Sequence, residues 1–102
     1  MAPKQKSIIE RLTAEAVRLA VNELEVEYKD GYEEVVALVG SIGFGIARFR
    51  SSSREARSLR EELYGIRKKK RRVVIGDSEY DVRAQVYESF GEDAFRLQLR
   101  RV

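Results

Sequence analysis

Eleven lysines and arginines fall between Arg48 and Arg72 against Glu55, Glu61 and Glu62 alone, a net charge of +8 for that stretch. Clustered ammonium and guanidinium groups do one kind of chemistry well: they hold anions, phosphates above all, without transforming them. Two constellations carry this chemistry. Arg67-Lys68-Lys69-Lys70-Arg71-Arg72 is an unbroken cationic run at the predicted end of a helix. Its charges either neutralise phosphates or complement the helix dipole and keep the surface soluble. The second, Arg48-Phe49-Arg50-Ser51-Ser52-Ser53-Arg54 with Arg57 one turn on, gathers arginines and hydroxyls at a predicted helix start. Free backbone N–H groups favour anions there, and the plainer reading is a serine cap flanked by solvated arginines. Both flanks are acidic: Glu23 to Glu34 holds six acids against Lys29, and Val73 to Phe95 six against Arg83, each a net of −5. Charge segregated in this way points to a binding face rather than a reaction centre.

Other chemistries find little support. The chain has no Cys and no His, which removes thiol nucleophiles, disulfides, imidazole bases and the usual zinc ligands. Glu88, Glu92 and Asp93 gather around Gly91 as a solvated turn would. Gly40, Gly43 and Gly45 match neither the P-loop nor the dinucleotide spacing and read as turn and bulge residues. Of the tyrosines, Tyr87 is the one expected to face outward as a base-stacking candidate, with ordinary sheet surface as the alternative. The expectation is therefore a nonenzymatic protein with no cofactor and no metal.

These residues need elements to position them. Ile9, Leu12, Ala16 and Leu19 recur at helical spacing, and Ser7 with Glu10 has the capping-box pattern, so a helix is predicted over Ser7 to Val21. The period then becomes two: Leu24, Val26 and Tyr28 alternate with Glu23, Glu25 and Glu27 as in a half-wet strand. A turn at Lys29-Asp30-Gly31 leads to a strand from Tyr32 to Val39, and Gly40 to Gly43 turns into another from Phe44 to Phe49. Ser52 with Glu55 repeats the capping pattern, and Ala56, Leu59, Leu63 and Ile66 mark a second helix to about Arg67. Strands follow at Arg72 to Ile75, around Tyr80 to Val86, and around Phe95 to Leu99, with turns at Gly76-Asp77-Ser78 and about Gly91.

At 102 residues, 43% hydrophobic and 36% charged, the chain suits one folded domain from residue 7 to 102, preceded by a flexible tail of residues 1 to 6. The expected fold class is α+β, two helices on one face of an antiparallel sheet of five or six strands in the order α-β-β-β-α-β-β-β. The two helix starts lie 45 residues apart, so the halves are either a degenerate internal duplication or unrelated segments with the same element order. On the open face, Glu23, Glu25 and Glu27 are expected to oppose Arg83, Arg96 and Arg100, within one chain or across a dimer interface. The longest apolar run, Val35 to Ile46, is too short to cross a bilayer, where about 20 residues are needed. Residues 1 to 6 do not open a secretory leader, so a cytoplasmic location is expected.

The helix, three strands, helix order up to Arg67, with Ser52-Ser53-Arg54-Glu55-Ala56-Arg57 at the second helix start, resembles double-stranded RNA-binding domains. That family carries a Ser-Lys-Lys-x-Ala-Lys-like segment at this point, which implies that Arg54 and Arg57 contact phosphates across the RNA groove. The pattern departs from the family where Ser53 replaces a cation and Lys29-Asp30-Gly31 lacks the loop histidine and proline. Arg72 to Val102 lies outside that fold.

Two functions follow from these observations. One is a module for nucleic acid or another anionic polymer, bound through Arg48, Arg50, Ser52, Ser53, Arg54, Arg57 and Lys68 to Arg72. The other is a protein-interaction or homo-oligomerising domain whose charges serve solubility and orientation. Geometry separates them: basic clusters at opposite ends of the second helix, about 20 Å apart, cannot form one compact patch.

Overall fold

A computed structural model describes residues 7–102, so the expected flexible tail at residues 1–6 lies outside the described residues. The element order is α1 (Ile8–Arg18), β1 (Glu23–Lys29), β2 (Tyr32–Val39), β3 (Ile42–Arg50), α2 (Arg54–Lys68), β4 (Arg71–Ile75), β5 (Ser78–Ser89) and β6 (Glu92–Arg101). Six antiparallel strands form one sheet in the order β3-β2-β1-β6-β5-β4. The fold is α+β with the expected succession of elements.

The core follows from the two periodicities. Ile9, Leu12 and Ala16 of α1 and Ala56, Leu59, Leu63 and Ile66 of α2 are buried against the inward-facing Leu24, Val26, Val35, Ala37, Val73, Val82, Phe95, Leu97 and Leu99. Tyr64 meets Phe95 edge to face, with ring centroids 5.1 Å apart. Ser7 caps α1 as its sequence pattern predicts, its Oγ accepting from the Glu10 N–H at 3.1 Å.

Several boundaries differ from the expected ones: α1 ends at Arg18 rather than Val21, with Ala20 at φ +59, and β6 begins at Glu92. The second helix is capped by Ser53, whose Oγ accepts from the Ala56 N–H at 3.1 Å, not by Ser52. Adjacent serines offer the same cap chemistry, and the register of the buried Ala56 and Leu59 selects between them. β3 starts at Ile42 because Gly40, at φ +61, completes the turn with Ser41. β5 is twelve residues long because its pairing with β6 continues to Ser89↔Glu92.

The shared element order does not extend to topology. β1, the first strand of its half, is innermost, whereas in the second half the innermost strand is β6, the last. β1 and β6 therefore join distant parts of the chain, from Glu23↔Gln98 to Val26↔Phe95. This arrangement sends α2 from one edge strand to the other. Fifteen helical residues span about 22 Å at 1.5 Å each, close to the roughly 24 Å across five strand spacings.

Candidate functional site

The crossing of α2 decides how the basic residues are distributed. Arg48 and Arg50 lie on edge strand β3, paired opposite Glu34 and Tyr32 on the face away from the helices. Arg48 stacks on the Tyr32 ring, its guanidinium 3.7 Å from the centroid, and lies 4.0 Å from Glu34. Arg50 is 5.4 Å from the same centroid and its Nη2 donates to the Tyr32 hydroxyl at 3.4 Å. Ser52 is exposed in the turn, and Ser53 is committed to its cap. Arg54 and Arg57, on the first turns of α2, are exposed and form no ion pair among the described residues.

The second cationic run sits at the opposite edge and is partly neutralised. Lys70 reaches Asp81 at 3.2 Å, Arg71 reaches Glu62 at 2.7 Å, and Arg72 reaches Asp81 at 2.7 Å and Glu79 at 3.2 Å. Hydrogen bonding to Arg72 holds the Asp81 carboxyl below its ordinary range, with Lys70 adding to the effect. Lys68 and Lys69 remain exposed without an ion pair among the described residues. The eleven candidate residues are thus divided between two edges and two faces of the sheet, and only the β3 end keeps four arginines near one another in sequence and on one edge.

The open face also differs from the expected arrangement. Of the three arginines, Arg96 alone meets the acidic column of β1, at 3.6 Å from Glu23 and 4.0 Å from Glu25. Arg83 stands opposite Gln98, and Arg100 opposite Asp81. Tyr87 faces outward, but its hydroxyl donates to Glu25, and Ser89 Oγ donates to Glu27 at 2.6 Å. The Tyr87 ring is thereby held by its own sheet.

Three features were not singled out from sequence. Glu33 is buried, 4% exposed, where its carboxylate accepts from Arg60 Nη1 at 2.6 Å. Burial pushes its pKa up and the Arg60 charge opposes the rise. Arg60 also donates to the Ser51 carbonyl at 3.2 Å, strapping the exit of β3 to α2 and β2. The signal was available, since Glu33 is in phase with the inward-facing Val35 and Ala37. The second feature is β5 itself. β4 covers it only from Ser78 to Val82, so Arg83 to Ser89 has a strand neighbour on one side alone among the described residues. The inward-facing Ala84 and Val86 are only half-buried there. The third is Phe90, fully exposed at the tip of the β5–β6 turn with φ +51.

No group of three or more acids among the described residues is placed to hold a metal ion, and no helix among them is long and apolar enough to cross a membrane. Comparison with protein-family models and with curated proteins finds no match to the chain.

Proposed function

We propose that this protein is a nonenzymatic protein-interaction module that associates through the edges of its sheet. One observation carries the reading: the cations that the sequence groups together lie on opposite edges, with Lys70, Arg71 and Arg72 bound to acids of the same chain, while main-chain edges lie open beside exposed apolar side chains. An open edge is a template for another strand, and Val39, Ile42, Phe44 and Phe90 add apolar contact area around such edges. A phosphate polymer needs several unpaired cations along one path, and the division of Arg48 to Arg57 from Lys68 to Arg72 works against that.

Fluorescence anisotropy with short double-stranded RNA, double-stranded DNA and single strands, from low to physiological salt, tests the reading. The expected result is weak binding that disappears at physiological salt and is indifferent to Arg54→Ala with Arg57→Ala. Tight, salt-sensitive binding that falls in that double variant would replace this reading with a nucleic-acid module centred on the β3 end.

A further inference from the structure

We infer that two copies of this chain pair along the open half of β5, antiparallel about a two-fold axis at Val86, with the Phe90 tip of each copy docked at the α2–β4 junction of the other. The inference rests on the protein-interaction reading and names its partner and surface.

The first argument is the length and position of the free stretch. Because β4 ends its pairing at Arg71↔Val82, seven residues from Arg83 to Ser89 keep one side of the strand open. A two-fold relation between antiparallel strands places residue i opposite a residue of equal parity, and only the axis at Val86 uses all seven. In that register Val86 meets its own copy, Ala84 meets Glu88, Gln85 meets Tyr87, and Arg83 meets Ser89. No like charges face one another. The half-buried Ala84 and Val86 gain the strand neighbour that β4 does not provide.

The second argument is chemical. Phe90-Gly91 adopts φ +51 and +79, nearly the values of Asp30-Gly31 at +51 and +85. Both are two-residue turns with positive φ at each central position, a conformation that suits Asn, Asp or Gly. Asp30 is the expected residue, whereas Phe90 adds a left-handed penalty and presents a fully exposed ring to water. Backbone strain at an exposed apolar side chain is accounted for when that side chain has a partner.

The third argument is charge. The tip is acidic, with Glu88, Glu92 and Asp93 beside it. In the two-fold register the strand that fills the open half of β5 is collinear with β4, so its tip reaches the start of β4, where Lys68 and Lys69 are exposed and unpaired among the described residues. The acidic tip and the basic junction are thus complementary surfaces of the same molecule. This use also accounts for Lys68 and Lys69, which form no ion pair among the described residues.

Sedimentation equilibrium over a concentration series, paired with thermal unfolding, tests the arrangement. A dimer is expected, with Phe90→Asp weakening it by about thirtyfold or more, since under the two-fold it removes an aromatic anchor at both ends of the interface, while leaving the fold intact because Asp-Gly suits the turn. Lys68→Glu with Lys69→Glu should weaken it as well, and adding Glu88→Lys with Glu92→Lys should restore it. Exchange of those amides from Arg83 to Ser89 that point away from β6, every second one along the strand, should slow as concentration rises. A protein that stays monomeric throughout the series overturns the inference. A dimer indifferent to Phe90→Asp but lost on Ile42→Lys with Phe44→Lys also overturns it, in favour of β3, and leaves the protein-interaction reading standing. Failure of that broader reading is seen separately, as tight nucleic-acid binding.

Discussion

β3 and β4 form the two edges of one sheet, yet β3 runs nine residues with a register shift at Val35/Val36, while β4 runs five residues in regular pairing and stops at the middle of its neighbour. The longer edge is guarded over its second half, from the bulge to Arg50, and is left apolar at Ile42 and Phe44. Its bulge interrupts the regular ladder, Arg48 and Arg50 lie over Tyr32, and Arg60 ties its exit to Glu33 and Ser51. The shorter edge is guarded only where it exists, by the Arg72–Asp81 and Lys70–Asp81 pairs, and leaves the rest of β5 open. An edge is therefore protected less by its length than by what interrupts its ladder and what charge covers it.

A series of substitutions separates these edges, and the one with the largest effect acts on β3. Arg60→Ala leaves a buried carboxylate without its partner and should lower the unfolding free energy by about 2–3 kcal/mol, less than for a fully buried pair because Arg60 is partly exposed. Urea denaturation measures this, and amide exchange should quicken in β2 and β3 more than in β5. Adding Glu33→Gln should return part of the loss. Acid distinguishes the same two edges by sign. The Glu33 carboxyl is raised, first by burial, so its contribution is fully present below its unfolded-state pKa and is lost as pH rises through the folded value. Asp81 is lowered, first by its bond to Arg72, so its contribution is present above its unfolded-state pKa and is lost as pH falls through the folded value. Stability measured against pH should therefore lose its decline on the alkaline side of the carboxylate range in Glu33→Gln, and part of its decline on the acid side in Asp81→Asn.

The next effect is a gain. Phe90→Asp should raise the stability of the monomer by about 1 kcal/mol, read from urea denaturation at low protein concentration, because the left-handed position then holds a residue suited to it. Of similar size is Gly43→Ala on β3, where the new methyl carbon would lie 2.8 Å from Cγ1 of the stiff Val36 side chain. It should cost about 1 kcal/mol, whereas Gly45→Ala, which meets no atom within 4 Å, should stabilise by about 0.5 kcal/mol. The smallest change is Ser51→Ala. The Ser51 Oγ is buried without a hydrogen-bond partner among the described residues, so removing it should be neutral or stabilising by a few tenths of a kcal/mol in the same assay.

The elements were legible because their signals are local. Ile9, Leu12 and Ala16 declare one helix face, Ala56, Leu59, Leu63 and Ile66 the other, and the alternation of Glu23 to Tyr28 declares a strand whatever its neighbours. Strand order was not legible, since nothing local in Leu24 or Val26 specifies that Leu97 and Phe95 lie beside them. The division of the basic residues between two edges was not legible for the same reason. Arg48 to Arg72 is one charge cluster along the chain, but the length of α2 carries its ends to opposite edges, and Lys70 to Arg72 find acids outside the cationic run, seven to eleven residues away. Alternation places Tyr28 on the inward side, and it does stand opposite the buried Glu33, yet it is 45% exposed because it lies near the strand end beyond the apolar core. Phe90 carried a readable signal, a bulky residue before Gly in a turn otherwise resembling Asp30-Gly31.

The place of β6 between β1 and β5 has a kinetic consequence. During synthesis the strand that joins the two halves emerges after all the others, so β1 waits with one ladder unpaired while some seventy residues follow it. The meanders β1–β2–β3 and β4–β5–β6 each pair near neighbours, and the contact that joins them is Leu24 and Val26 against Leu97 and Phe95, a contact of long sequence separation and hence of slow closure. Until then the apolar faces of both halves remain exposed on the nascent chain, which makes the interval before β6 arrives the period of greatest exposure to misassembly.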